Sequence, residues 1–286
     1  MQHTPDVQPQ TYAIPAGCTI STILRNPPVN AVDARILIAH GLGFSRVQLI
    51  TQSELSLDSE QAARLTALFR RRIDGEPIAY IVGEREFFGL ALYTTPEVLI
   101  PRPETELLVE LALERLPQHG RVLDMGTGSG AIAIAIAHAR PDAQVIAIDA
   151  SSSALDIARR NSLRHNARVL LKQSDWYAAL AECKFDLIVS NPPYIVANDP
   201  HLSQGDLRFE PVDALTDHAD GLSALRSIVA GAPPYLADGG WLLMEHGYDQ
   251  ADAVRNLLAA SFQQVQSWKD LAGIERVSGG MLSIAK

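Results

Sequence analysis

The chain has 286 residues, 47% of them hydrophobic, and a formal net charge of −9. That length accommodates a core domain and a smaller accessory one. The acidic balance argues against a protein that grips a nucleic-acid backbone, because phosphate neutralisation dominates such affinity and calls for a basic excess.

The N-terminus, "MQHTPDVQPQTYAIPAG", lacks the charged-then-apolar layout of a signal peptide, and residues 1–16 read as a loose polar tail. From about Ile20 to Asp74 the pattern is helical. "NAVDARILIAHGLG" places Val32, Ala34–Ile38 and Leu42 on one apolar stripe. "SEQAARLTALFRRRIDG" predicts a helix with Ser59 as N-cap and Gly75 as C-cap. Its Arg70–Arg72 run is the one basic cluster and reads as a solvated helix end. Residues 1–83 are expected to form a small helical bundle.

Residues 84–100, "EREFFGLALYTTPEVLI", mix aromatic and β-branched residues around Gly89 and Pro96, which predicts a strand or hairpin linker. In "PRPETELLVELALERL" Pro103 suits a first helical turn, and Glu104 and Glu106 suit a helix N-terminus. Beyond Arg121 strand-like and helix-like segments alternate. The expected strands are 122–125, 144–148, 169–172, 186–189, 240–245, 262–268 and 281–285. Such alternation implies an α/β domain over residues 101–286, with a mostly parallel sheet covered on both faces. The longest apolar run, Ala131–Ala137, is far shorter than the ~18 residues a membrane span needs. Cys18 and Cys183 fit no metal or redox spacing, and no pair of histidines has ligand-like spacing, so no metal is expected. A cytoplasmic monomer is the expectation.

"VLDMGTGSGAIAIAIA" is a strand, then Gly126, Gly128 and Gly130, then a helix. In a doubly wound sheet this turn faces the ligand crevice, and its glycines let backbone approach the ligand. Asp149 closes the next strand, "QVIAID", where a carboxylate can accept both hydroxyls of a ribose; the alternative is a cap on the following helix. The G-x-G-x-G spacing differs from the dinucleotide pattern. Asp175 after the third strand can reach an adenine amine, and Trp176 can stack on the ring or pack against the loop. S-adenosylmethionine fits these features, having a ribose and adenine but no pyrophosphate. Asp124 can hold the glycine turn or approach the cofactor's amino group.

In "FDLIVSNPPYIV" the fourth strand stops at Asn191, followed by Pro192, Pro193 and Tyr194. The Asn191 side-chain oxygen and the Pro192 carbonyl are two acceptors, enough for both hydrogens of a planar –NH2 group. Pro193 has no N–H for the usual turn bond, and Tyr194 offers a ring for the planar group to lie against. An amide or aryl amine nitrogen is a poor nucleophile, and pinning it in line with a sulfonium methyl is the chief requirement of transfer. Asn-Pro-Pro-Tyr elsewhere is a rigid turn. Following a glycine loop and Asp149, it points to N-methyl transfer.

The chain resembles the PrmC (HemK) family along nearly its whole length. The resemblance rests on "PIAYIVGEREFFGL", "LIPRPETELLVE", "LDMGTGSGAIAIAIA", "SDW", "SNPPYI", "FEPVDAL", "MEHG" and "DLAGIERV", with "IPRPETE" the most specific. It implies a Rossmann-like class I S-adenosylmethionine-dependent methyltransferase: an N-terminal helical bundle docking the substrate, a hairpin linker and a seven-stranded domain with its last strand antiparallel. It also implies methylation of the glutamine side-chain amide in the Gly-Gly-Gln loop of peptide chain release factors, which modulates translation termination. Gly126, Thr127, Gly128, Ser129, Gly130, Asp149, Asp175, Trp176 and Asn191 would contact the cofactor, and Asn191, Pro192, Pro193 and Tyr194 would hold the amide. Three other readings stand beside it: an amino-methyltransferase acting on adenine or guanine, a non-catalytic nucleotide-binding assembly module, and a dehydrogenase.

Overall fold

The computed structural model describes residues 12–181 and 183–283, and its contacts divide the chain into two units at Val82/Gly83. Residues 1–11 of the expected tail lie outside the described part, as does the end of the expected last strand.

The first unit contains α1 (Ile20–Arg25), α2 (Ala31–Leu42), α3 (Arg46–Thr51), α4 (Ser59–Ile73) and α5 (Ile78–Val82). Ile20, Leu37, Ile38, Leu65 and Phe69 are fully buried together in its core. Burying one such side chain stabilises by roughly 1.5–3 kcal/mol, which is how helices as short as these persist. The α4 N-cap is Asp58, not Ser59. Asp58 accepts from the Gln61 N–H at 2.8 Å, and Gln61 Oε1 accepts from the Asp58 N–H at 3.0 Å. Ser59 would have Ala62 as its reciprocal partner, with no side-chain acceptor to return the bond. The helix closes on Asp74, and Gly75 follows with φ of 95°. In the arginine run Arg70 and Arg71 are exposed, as a solvated helix end requires, while Arg72 is half-buried, and all three have partners. Arg72 pairs with Asp33 of α2 at 2.6 Å, Arg71 with Glu76 at 2.5 Å, and Arg70 donates to the Tyr12 carbonyl at 2.8 Å.

The second unit opens with a hairpin, β1 (Glu84–Phe87) and β2 (Leu90–Tyr93), which occupies only the first part of the 84–100 segment. A 3-10 turn, Pro103–Thr105, leads into α6 (Glu106–Arg115). Then come β3 (Arg121–Met125), α7 (Ala131–Ala139), β4 (Gln144–Asp149), α8 (Ser152–Arg164), β5 (Val169–Gln173), β6 (Phe185–Ser190), α9 (Val212–Leu215), α10 (Ser223–Gly231), β7 (Leu236–Glu245), α11 (Ala251–Leu258), β8 (Phe262–Lys269) and β9 (Glu275–Leu282). The sheet order is β5-β4-β3-β6-β7-β9-β8. The first five strands run parallel, and β9 is antiparallel to both β7 and β8. The last strand therefore starts six residues earlier than its apolar end suggests. Its "ERVSGG" half carries two glycines and a serine and lacks a strand-like pattern, yet sheet pairing overrides propensity there.

Alternation along the strands builds two cores. Val122, Leu187, Val189 and Leu243 face α6 and α7, while Leu123, Met125, Ile188, Leu242 and Met244 face α10 and α11. Residues buried on both faces explain the continuous apolar runs of these strands. Phe87 lies in the first core and Phe88 packs against it, so both fasten the hairpin.

Candidate active site

The strand order reverses between β3 and β6, and a crevice opens beyond the carboxyl ends of the strands there. A cavity of about 540 Å³ occupies it, lined by Glu97–Leu99, Gly126, Gly128, Asp149–Ser151, Ser153, Ala154, Ser174–Trp176, Asn191, Pro193, Pro211, Asp213 and Ala214. Asp149 from β4, Asp175 and Trp176 after β5, the glycine loop after β3 and Asn191 after β6 all converge on it. Thr127, Ser129 and Gly130 do not line it: Thr127 and Ser129 are buried beneath the loop and Gly130 caps α7. Nor do Pro192 and Tyr194.

The glycine turn owes its shape to two carboxylates. Gly126 and Gly128 have φ of 70° and 55°, and a Cβ at either would meet nothing within 4 Å. Left-handed backbone and open space both suit close approach of a ligand. Asp149 Oδ2 accepts from the Gly128 N–H at 2.8 Å, and its Oδ1 from the Ser151 N–H at 2.9 Å. Ser151, not Asp149, caps α8. Asp149 is thus rigidly aimed, with lone pairs left for hydroxyl donors, and burial raises its pKa.

Asp124 lies wholly buried beneath the loop. Its Oδ2 accepts from Thr127 Oγ1 at 2.6 Å and from the Ala133 N–H at 3.2 Å, doing for α7 what a capping side chain would do, since the N-cap is Gly130. Asp124 therefore holds the glycine turn. Its Oδ1 has no hydrogen-bond partner among the described residues, an acceptor of the kind an ammonium group requires. Burial, opposed by those two hydrogen bonds, pushes the carboxyl up to about 7. The cavity's residues suit S-adenosylmethionine: Asp149, with acceptor capacity to spare, the glycine backbone, Asp175 and Trp176 all line it, whereas Asp124 does not. Trp176 adopts φ of 42°, a left-handed conformation rare for an aromatic residue, and Ser174 Oγ holds its carbonyl at 2.6 Å. Strain of this sort concentrates at ligand sites.

On the acceptor side, Ser190 Oγ donates to the Met125 carbonyl at 2.8 Å, locking the ends of β6 and β3 side by side. Asn191 follows directly, and its Nδ2 donates to Thr105 Oγ1 at 3.2 Å. Tyr194 packs against the second core and donates its hydroxyl to Glu245 Oε1 at 3.2 Å. Burial, with the Glu245 carboxylate nearby, raises the phenol far above its ordinary range, so it remains a donor.

Three residues do structural work that the sequence pattern does not reveal. Asn161 of α8, fully buried, accepts from the Tyr93 N–H at 2.6 Å and donates to the carbonyls of Tyr93 and Ser129 at 3.0 and 2.9 Å, joining hairpin to glycine loop. Glu106 accepts from the Phe88 N–H at 2.9 Å, so it fastens the hairpin turn to α6 instead of capping the helix. Glu210 accepts from the Ile100 N–H at 3.0 Å and pairs with Arg102. This ion pair joins the two loops that wall the cavity. Losing one partner of a buried pair costs about 3–5 kcal/mol, reduced here because Arg102 is partly exposed. Glu210→Ala is expected to cost about 2–4 kcal/mol of stability in denaturant titrations. A loss below ~0.5 kcal/mol would show the pair to be idle.

Glu245 ends β7 with only 1% exposure, and its Oε2 has no partner among the described residues. Burial pushes its carboxyl up to about 7, against the opposing bonds from Thr105 and Tyr194. A carboxyl whose folded pKa exceeds its unfolded value adds stability at low pH that is lost as pH rises through the folded pKa. The Glu245 and Asp124 contributions should therefore fade between about pH 4 and pH 7. Calorimetric midpoints across that window should fall less in Glu245→Gln than in the wild type; equal slopes would remove Glu245 from the explanation.

A sheet in which β9 alone runs backwards, with a nucleoside-sized cavity at its switch point, defines the class: a Rossmann-like methyltransferase. Residues 103–205 match the Methyltransferase small domain family and residues 21–83 the PrmC N-terminal domain. A release factor glutamine methyltransferase of Burkholderia pseudomallei is 56% identical over 94% of this chain and 98% of its own length. The protein of that name in Escherichia coli K12 is 47% identical over 87% of this chain and 91% of its own. The chain belongs to the release factor glutamine methyltransferase family. Among solved structures, the Thermus thermophilus 16S rRNA N2 G1207 methyltransferase, complexed with AdoMet and guanosine, superposes with a TM-score of 0.53 at 22% identity, covering 70% of this chain and 49% of that one. A Pyrococcus furiosus methyltransferase gives 0.53 at 20% identity, over 76% and 98%. Both likenesses concern the fold. Among the described residues no helix is long and apolar enough to cross a membrane, and no His, Cys, Asp and Glu cluster suits a metal.

Proposed function

We propose that this chain transfers a methyl group from S-adenosylmethionine to the side-chain amide nitrogen of the glutamine in the Gly-Gly-Gln loop of peptide chain release factors. The observation that carries this reading is the placement of Asn191, tethered through its nitrogen, on the same cavity as Asp149 and the glycine loop. The names of the relatives support the substrate.

S-adenosylmethionine, when bound, supplies a methyl carbon made electrophilic by a positive sulfur. The chain's own residues position the acceptor. Asn191 Oδ1 accepts one N–H of the glutamine amide and the Pro192 carbonyl the other, which anchors the nitrogen and increases its electron density. Pro193 narrows the wall, and Tyr194, held by Glu245, stiffens the turn behind it. As the nitrogen–carbon bond forms and the carbon–sulfur bond breaks, an N–H proton becomes strongly acidic and leaves to water, so no strong base is needed beforehand. Catalysis is thus mostly orientation and electrostatic placement. The bundle of residues 1–83 is assigned the docking of the release factor, and Val32, Val47 and Ile50 are the most exposed of its large apolar side chains.

Labelled S-adenosylmethionine, incubated with the chain and a release factor, should mark the Gly-Gly-Gln glutamine. The factor with that glutamine replaced should stay unlabelled. Label on RNA or DNA instead would favour the adenine or guanine amine as acceptor. Ile50→Asp should raise the KM for release factor while leaving cofactor affinity unchanged; an unaltered KM would remove that face from docking.

A further inference from the structure

Resting on the methyl-transfer reading, we infer that Gln250 is a positioning residue: from outside the cavity, its carboxamide fixes the turn that carries both acceptors for the glutamine amide. That turn, Asn191–Tyr194, leaves β6 and must hold the Asn191 oxygen and the Pro192 carbonyl in one place. Its start is fixed, because Ser190 Oγ donates to the Met125 carbonyl at 2.8 Å. Pro192 and Pro193 have no N–H, so the middle of the turn has no backbone donor to tie it down. The far end therefore needs an outside partner.

Gln250 supplies it. Its Nε2 donates to the Tyr194 carbonyl at 3.0 Å and to the Gly221 carbonyl at 3.1 Å, while its Oε1 accepts from the Gly247 N–H at 2.8 Å. These partners decide which end of the carboxamide is which. The two carbonyls only accept and the Gly247 N–H only donates, so the reverse orientation would make none of the three bonds. Gln250 is 8% exposed, and both hydrogens of its nitrogen are used. Its main chain is equally constrained: its N–H donates to the Gly247 carbonyl at 3.1 Å, and its carbonyl accepts from the Val254 N–H at 3.0 Å in the first turn of α11.

Gly221 closes the contact from the other side. It has φ of 76°, and a Cβ there would lie 2.5 Å from the Tyr194 carbonyl oxygen and 2.8 Å from Gln250 Nε2, so no side chain fits. The residues after Tyr194 run on against the same loop: the Ile195 N–H donates to the Leu215 carbonyl at 3.0 Å and the Ala197 N–H to the Ala219 carbonyl at 2.9 Å. Pro211, Asp213 and Ala214 just before them line the cavity. One buried side chain thus joins the acceptor turn, a wall of the cavity and the residues that follow β7. Neither Gln250 nor Gly221 lines the cavity, so an effect of either on turnover must pass through the turn.

The test compares Gln250→Glu with Gln250→Met in the full chain, assayed with S-adenosylmethionine and release factor. The first keeps the size and the acceptor for Gly247 but sets an oxygen against two carbonyls, and even protonated it returns at most one of the two lost bonds. The second keeps the length and makes none of the three. Gln250→Glu should lower kcat by roughly tenfold or more, the rate equivalent of about one lost hydrogen bond, with the calorimetric Kd for S-adenosylmethionine changed by less than about twofold. Gln250→Met should be slowed at least as much, and Gly221→Ala, which crowds the same carbonyl, should lower kcat in the same way. In an Asn191→Ala background, Gln250→Glu should cost less than about twofold further, because the acceptor it positions is already gone. Full kcat in Gln250→Glu beside a slow Gln250→Met would reduce Gln250 to a cap on Gly247 and overturn the inference. Full kcat in both, a loss of cofactor affinity as large as the loss of kcat, or full additivity with Asn191→Ala would overturn it as well. A wild-type chain that leaves release factor unmethylated would overturn the underlying reading and the inference with it.

Discussion

Replacing Asn191 by alanine is expected to lower turnover by about 100- to 1,000-fold, the scale seen when one pre-aimed hydrogen-bonding group is removed from a transition-state site. The substitution deletes the acceptor for the amide nitrogen and also the donor that satisfies Thr105 Oγ1. The second loss falls on a group that is 4% exposed, so the local polar chain is disturbed as well as shortened. Affinity for S-adenosylmethionine should fall only a few-fold, because Asp149 and the glycine loop are untouched. Single-turnover rates and equilibrium binding separate the two effects. A variant turning over at near wild-type speed would mean that the amide nitrogen is held by something other than Asn191.

The second large effect is expected at Asp149. Its carboxylate braces Gly128 and Ser151 through backbone N–H groups and retains acceptor capacity toward the cavity. Hydrogen bonds to a charged group contribute about 1.5–3 kcal/mol each, so losing a pair toward ribose hydroxyls should weaken cofactor binding by roughly 100-fold or more in Asp149→Ala. Turnover at saturating cofactor should fall much less, since the methyl acceptor is positioned by β6. This is the opposite signature to Asn191→Ala, and calorimetry beside steady-state kinetics resolves it. Unchanged cofactor affinity would restrict Asp149 to bracing the loop, the role its two backbone bonds already give it.

These contrasting signatures follow from one property of the sheet. The donor-side groups hang from β3, β4 and β5 and the acceptor-side group from β6, and the two sets meet only where the strand order reverses. Ser190 Oγ, bonded to the Met125 carbonyl, keeps the adjoining strand ends in register. A shift of one residue there would turn Asn191 to the other face of the sheet.

Much of this protein is written locally. Apolar runs of four to six residues, separated by helical stretches, mark parallel strands because both faces of each strand are buried, and that holds whatever the remaining chain does. Glycines before an apolar helix, an acid at the end of the next strand and Asn-Pro-Pro-Tyr at the end of a later one are likewise legible, since each motif is set by its own backbone. The Asp58–Gln61 capping box was legible too, by the same three-residue spacing that excludes Ser59. What only the tertiary structure decided are the partnerships across long separations: Asn161 with Tyr93 and Ser129, Glu210 with Arg102, Thr105 with Asn191, and Tyr194 with Glu245. Each is a buried polar group whose partner lies in another element. Local spacing carries no record of such a pairing, because the need for it arises only when folding removes both groups from water.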